Sequence, residues 1–316
     1  MKIVVLDWNT IAADGDISCS ELEKMGNVRI FPMTPPEQTV QNISDAEIVL
    51  CNKVLITRDV MDKCPNIKYI GLFATGFNNV DIEYAAQKNI TVCNAGSYST
   101  DAVAQQTFAY ILDRFSRIRD YDNAVKNNEW IDSPTFSYFP IPTAELSGKT
   151  ISIVGYGSIG KKVARIADAF GMNIIISTRT KPQDCPYELT DIFIAAQKAD
   201  ILTFHCPLTP QTEGIVNSEL LSVMKPSAIL INTSRGGVVN EYDLADALNN
   251  NKISAAYLNV LGKEPMSPDT PLRYAVNCII TPHTAWAAYE TRLRLVNIVC
   301  GNVKAWLDGK PQNKVN

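Results

Sequence analysis

The stretch Thr150-Ile-Ser-Ile-Val-Gly155-Tyr-Gly157-Ser-Ile-Gly160 settles the fold class. Residues 151–154 form a short β-rich apolar run closed by glycine, the pattern of a buried strand. Behind the glycines, Ile159, Val163, Ile166, Ala167 and Phe170 recur at helical spacing, and Gly171 stands where a C-cap belongs. Strand, glycine turn and helix in that order is the context in which a GxGxxG match points to dinucleotide binding. Gly155 permits the tight turn, Gly157 lets the backbone approach a pyrophosphate, and Gly160 allows strand and helix to pack closely. The helix N-terminus presents N–H groups to the anion.

Strand and helix patterns alternate on both sides of this stretch. Upstream, short apolar strands are expected at 3–6, 28–31, 48–51, 69–73 and 91–93, with helical segments at 20–25, 36–42, 57–64 and 81–88. Such alternation predicts a parallel sheet covered on both faces. A single long helix is expected from 100 to about 127, with Thr100 or Asp101 as N-cap. Residues 130–143 are rich in aromatics and proline and are expected to be irregular, with exposed rings covered by a second subunit. Downstream, six strands at 151–154, 174–177, 201–205, 228–232, 255–260 and 278–281 match two mononucleotide-binding halves. A last helix, about 287–307, carries Leu293, Val296, Val299, Val303, Trp306 and Leu307 on one side. The fold class is α/β, with two doubly wound parallel-sheet domains.

At 316 residues the chain is long enough for two domains. With 46% hydrophobic and 20% charged residues it has the composition of an ordinary globular protein. A net charge of -4 gives no electrostatic reason to expect nucleic acid or an anionic membrane. No apolar run approaches the roughly 20 residues of a membrane helix. The N-terminus, Met1-Lys-Ile-Val-Val-Leu-Asp7, runs into a strand without the features of a signal peptide, so a cytoplasmic enzyme is expected. The 8 cysteines are scattered singly, without a metal-binding pattern; they read as reduced core thiols, and no metal is expected.

Four side chains near strand ends could do chemistry. His205 is expected to pack and hydrogen-bond, as histidines at strand ends commonly do. His283 lies beyond the carboxyl end of a parallel strand, where open α/β sheets bind ligands. Arg235, in Asn232-Thr-Ser-Arg-Gly-Gly237, carries a fork of donors suited to a carboxylate. Two adjacent glycines there suggest a sharp turn or a close backbone approach. Glu264, restrained by Pro265, is either a solvated loop carboxylate or held inward. Together these supply a cation for a carboxylate, an imidazole as proton donor, and a carboxylate that orients the imidazole and favours its charged form. That equipment suits reduction of an α-keto acid by a nicotinamide.

The chain resembles the D-isomer-specific 2-hydroxyacid dehydrogenases through nearly its whole length. The resemblance rests on residues 154–160, His205-Cys-Pro-Leu-Thr209, Asn232 to Gly237, Glu264-Pro265 and Thr281-Pro-His-Thr-Ala-Trp286. It implies a flavodoxin-like substrate domain (1–98 with 286–316) and a Rossmann cofactor domain (99–285). By the same resemblance Arg235 clamps substrate, His283 is the acid–base and Glu264 is its partner. Implied cofactor contacts are Val103, the turn Gly155, Gly157, Ser158, Ile159 and Gly160, then Thr178, Arg179 and Thr180. Further along they are Cys206, Pro207, Thr212, Thr233, Ser234, Arg235, Asn259 and His283. Cys51-Asn-Lys53, Ala74-Thr-Gly-Phe-Asn78, residues 96–105, Trp130 and Ser133-Pro-Thr-Phe136 resemble the glycerate dehydrogenase (hydroxypyruvate reductase) branch. This adds Asn52, Lys53, Thr75 and Gly76 as substrate contacts, and implies a homodimer. Asn52 and Lys53 read equally well as a polar turn.

Two positions depart from the family. Thr178 stands where NAD-binding members carry an acid for the ribose hydroxyls. With Arg179 and Lys181 beside it, NADP(H) is expected in preference to NAD(H). Asn259 replaces an aspartate that contacts the nicotinamide carboxamide, keeping an acceptor oxygen without the charge. The expected reaction is reduction of hydroxypyruvate or glyoxylate. The alternatives are a broader 2-ketoacid reductase, or a nucleotide-sensing corepressor without turnover.

Overall fold

The computed structural model describes residues 1–12, 15–180 and 182–316. By its internal contacts the chain divides into two compact units, Met1–Ser99 with Trp286–Asn316, and Thr100–Ala285.

The first unit is built on β1 (Lys2–Val5), β2 (Asn27–Ile30), β3 (Ile48–Cys51), β4 (Tyr69–Leu72) and β5 (Thr91–Cys93). All pair in parallel, in the order β2-β1-β3-β4-β5, the flavodoxin-like arrangement. Successive strand residues point to opposite faces. Ile3, Val5, Ile48 and Leu50 join one cluster, while Val4, Leu6, Val49 and Cys51 join the other. Continuous apolar runs are therefore needed, and the sequence supplies them. The last helix, Tyr289–Leu307, buries Leu295, Val296, Val299 and Val303 in the first of these clusters.

The second unit contains β6 (Thr150–Val154), β7 (Asn173–Ser177), β8 (Glu188–Leu189), β9 (Ile201–Phe204), β10 (Ile229–Asn232), β11 (Ala255–Leu258) and β12 (Cys278–Ile280). Their order, β12-β11-β10-β9-β6-β7-β8, is that of a Rossmann sheet extended by one strand. Seven strands replace the expected six, because β8 is a two-residue edge strand with no alternation to reveal it. Ile151, Ile153, Ile229, Ile231 and Tyr257 fill one face, and Val154, Leu202, Phe204, Leu230 and Leu258 the other.

The single helix expected over 100–127 is corrected to two, Thr100–Ser116 and Ile118–Lys126. Arg117 breaks it with a left-handed φ of 52°. Thr100 lies within the first turn instead of capping it. Residues 127–149 hold no helix or strand.

Candidate active site

β6 delivers the chain into the glycine turn. Gly155 has a φ of 96°, and a Cβ there would lie 2.8 Å from backbone atoms of His205 and Cys206, so glycine is required twice over. A Cβ on Gly160 would lie 2.1 Å from the Gly155 carbonyl oxygen. Gly157 differs: nothing stands within 4 Å of its Cβ position. It caps helix Ser158–Ala169, in whose first turn lie Ser158 and the half-buried Ile159, and as glycine it contributes no capping side chain. Open space over a helix N-terminus suits a pyrophosphate, so these residues fit a dinucleotide.

The other residues expected to contact the cofactor are spread along the second unit. Val103 is buried in helix Thr100–Ser116. Thr178, Arg179 and Thr180 follow β7, with Arg179 and Thr180 exposed and Arg179 without an ion-pair partner among the described residues. Lys181 lies outside the described residues. Beyond β9, burial pushes the Cys206 thiol up to about 11, which keeps it neutral and unreactive. Thr212 Oγ1 donates to the Pro207 carbonyl at 2.7 Å and accepts from Thr209 N at 2.8 Å, closing that turn on itself. His205 packs and hydrogen-bonds as expected: its Nε2 meets Thr203 Oγ1 at 3.0 Å and its Nδ1 meets Thr233 Oγ1 at 3.2 Å. Burial pushes this imidazole down to about 3, so it is neutral at neutral pH.

β10, β11 and β12 are hydrogen-bonded neighbours, and the loops that leave their carboxyl ends carry Arg235, Glu264 and His283. Asn232 shapes the first loop. Its Oδ1 accepts from Ser234 N at 3.0 Å and Ser234 Oγ at 2.8 Å, while its Nδ2 donates to the Arg235 carbonyl at 2.8 Å. Arg235 is exposed, with Nη1 donating to the Ser234 carbonyl at 2.8 Å. The close approach implied by the paired glycines is to another loop: a Cβ on Gly236 would lie 1.8 Å from the Leu261 carbonyl oxygen.

Glu264 is exposed, yet both of its carboxylate oxygens are engaged. Its Oε1 accepts from Leu261 N at 2.9 Å, and its Oε2 meets His283 Nδ1 at 2.6 Å. Glu241 steadies the same loop by accepting from Gly262 N at 2.8 Å. His283 adopts a φ of 54°, and its N–H donates to the Asn259 and Thr281 carbonyls, both at 2.9 Å. Asn259, buried at the end of β11, ties down the whole segment. Its Oδ1 accepts from Thr284 N at 2.8 Å, Ala285 N at 3.0 Å and Thr281 Oγ1 at 3.1 Å. Three surrounding donors identify that atom as the oxygen, leaving Nδ2 as the side-chain atom able to meet a ligand.

In the first unit, Asn52 is buried and Lys53 exposed in the turn that follows β3. Thr75 and Gly76 follow β4. Thr75 Oγ1 donates to the Gly96 carbonyl, and the Thr75 carbonyl accepts from Asn94 Nδ2 at 2.7 Å. Neither backbone N–H of Thr75 and Gly76 has a partner among the described residues, which leaves both able to receive an anion. Sequence reasoning assigned no role to Asn232, Asn79 or Asp7. The Asx-turn character of Asn232-Thr-Ser-Arg235 was a usable signal for the first; the other two act on residues distant in sequence. No His/Cys/Asp/Glu group among the described residues could hold a metal ion.

A glycine-turn dinucleotide fold with a carboxylate–imidazole pair on the carboxyl edge of the same sheet defines an NAD(P)-dependent oxidoreductase. The chain belongs to the D-isomer-specific 2-hydroxyacid dehydrogenase family, whose NAD-binding domain profile matches residues 108–285. It is 40% identical to hydroxypyruvate reductase of Blautia hydrogenotrophica, over 100% of both chains. It is 38% identical to glycerate dehydrogenase of Methylorubrum extorquens, covering 99% of this chain and 98% of that one. Among solved structures, the NADPH-dependent glyoxylate/hydroxypyruvate reductase of Sinorhizobium meliloti superposes with a TM-score of 0.84 at 27% identity, covering 99% of this chain and 97% of that one.

Proposed function

We propose that this protein reduces hydroxypyruvate to D-glycerate, and glyoxylate to glycolate, with NADP(H) preferred over NAD(H). The observation that carries the reaction is the 2.6 Å contact between His283 Nδ1 and Glu264 Oε2, on the carboxyl edge of the dinucleotide-binding sheet. With Nδ1 engaged, Nε2 is the nitrogen left to give a proton to the carbonyl oxygen of the keto acid. The nicotinamide cofactor, when bound, supplies the hydride that the carbonyl carbon receives. Arg235 holds the substrate carboxylate and polarises the carbonyl. In the first unit, read as the substrate domain, Asn52, Lys53 and the free amides of Thr75 and Gly76 complete its recognition. The relatives named hydroxypyruvate reductase and glycerate dehydrogenase support this choice of acid.

Cofactor preference rests on Thr178 and the exposed Arg179 at the end of β7. No carboxylate in that position repels an adenosine 2′-phosphate, and Arg179 is available to pair with it. Arg179→Ala therefore weakens NADPH about tenfold or more while leaving NADH within about twofold. Equal weakening of both would remove Arg179 from phosphate recognition. Assays of both cofactors against hydroxypyruvate, glyoxylate, pyruvate and phosphohydroxypyruvate test the substrate, with hydroxypyruvate expected to give the highest kcat/KM. The active form is a homodimer in this proposal, joined through the aromatic segment 130–143.

A further inference from the structure

The first unit holds a buried carboxylate that takes no part in the chemistry above. Asp7 lies two residues beyond β1 and is 1% exposed. It accepts from the backbone N–H groups of three consecutive residues: Asn52 at 2.8 Å, Lys53 at 2.6 Å and Val54 at 3.2 Å. Those residues form the turn by which the chain leaves β3, the strand paired with β1. Successive N–H groups converging on an anion are a common means of binding phosphate or carboxylate ligands. Here the chain supplies the anion itself, so these three N–H groups are already satisfied, and Lys53 is the exposed residue of the turn.

The turn is fixed from its other sides as well. Asn79 Nδ2 donates to the Val54 carbonyl at 2.9 Å and to the Asn52 carbonyl at 3.4 Å. Thr10 Oγ1 donates to the Asp7 carbonyl at 2.7 Å and accepts from Asn52 Nδ2 at 3.0 Å. Asn52 is thus held through its N–H, its carbonyl and its side-chain amide, and Lys53 through its N–H. Burial pushes the Asp7 carboxyl up, while the amides of Lys53, Asn52 and Val54 and the Lys53 charge work to keep it ionised. An amide in place of the carboxylate would turn an NH2 group toward N–H donors, so the charge has a specific structural use.

Resting on the reading in which Asn52 and Lys53 meet the substrate, we propose that Asp7 is a positioning residue for substrate binding. Its carboxylate fixes the Asn52-Lys53 turn in the conformation that receives the 2-keto acid.

The test compares purified full-length Asp7→Asn, Thr10→Val, Lys53→Ala, Asn52→Ala and the double variant Asp7→Asn/Lys53→Ala, with hydroxypyruvate and NADPH, after thermal melts establish folding. Asp7→Asn raises KM for hydroxypyruvate about tenfold and Thr10→Val about threefold, with kcat and KM for NADPH within about twofold of wild type. The double variant falls short of the product of the two single effects, because both act through one turn. If Lys53→Ala raises KM while Asp7→Asn does not, the inference is overturned and the substrate reading stands. Should Asp7→Asn fail to fold, Thr10→Val decides in the same way. If Lys53→Ala and Asn52→Ala leave KM unmoved, the substrate reading of the turn fails and takes the inference with it. A loss of melting temperature and kcat in Asp7→Asn without a KM change marks a merely structural role and overturns the proposal.

Discussion

His283 is held by its backbone and one ring nitrogen so that the other nitrogen is left to the substrate. Its left-handed φ of 54° is kept in place by hydrogen bonds to two carbonyls, and Glu264 sets the ring through Nδ1. Reduction requires the charged imidazolium, which a neighbouring carboxylate favours. Glu264→Gln keeps an oxygen for the Leu261 N–H but removes that charge. The variant's ring then lacks the carboxylate that orients it through Nδ1 and stabilises positive charge on it during proton transfer. The rate at neutral pH falls by about tenfold or more. An undiminished rate, with the fold intact, would remove Glu264 from proton transfer. Asn259 acts on the same histidine from below, through the three donors that its Oδ1 gathers from residues 281–285.

At the scale of elements, the legible parts were those whose requirements are local. The glycine turn was readable because each glycine answers a constraint within a few residues. The inner strands were readable because they are buried on both faces. The break at Arg117 left no mark, since a left-handed residue there is neither glycine nor asparagine. β8 is too short to carry a pattern. At the site, residue types and strand ends were legible, but the Glu264–His283 contact spans 19 residues and the tie from Asp7 to Asn52 spans 45, beyond any periodicity. His205, at the end of β9, joins that strand to the loop after β10 through Thr203 and Thr233. Its imidazole is pushed down to about 3 in the folded chain, whereas an unfolded chain protonates it near 6.5. The unfolded state takes up the extra proton between those values, so stability falls as pH drops from about 6.5 toward 3, by at most about 1.4 kcal/mol per pH unit. The residue as a whole is half-buried, which makes that slope an upper limit. Urea unfolding at several acidic pH values should show a shallower loss in His205→Gln than in wild type. Equal slopes would contradict a neutral, desolvated His205.

For the molecule as a whole, no helix among the described residues is long and apolar enough to cross a membrane. The apolar surface that needs an explanation is the aromatic segment, where Phe136 is 91% exposed, Phe139 83% and Ile131 75%. The segment is not loose: Trp130 Nε1 donates to the Phe136 carbonyl at 3.1 Å and Tyr138 OH to Glu129 at 2.7 Å. Rings held out in water by their own loop are unfavourable unless a second copy covers them. Sedimentation should give the mass of two chains, and Phe136→Ser/Phe139→Ser should shift it toward one. A wild-type monomer would contradict the dimer. The central claim is hydride reduction of a 2-keto acid with His283 as proton donor. The most direct measurement is NADPH consumption with hydroxypyruvate, with product chirality determined, in wild type and His283→Ala side by side. One D-glycerate formed per NADPH consumed, with kcat lower by about a hundredfold or more in the variant, is the predicted result. No turnover in wild type, an L product, or an undiminished rate in His283→Ala would contradict it.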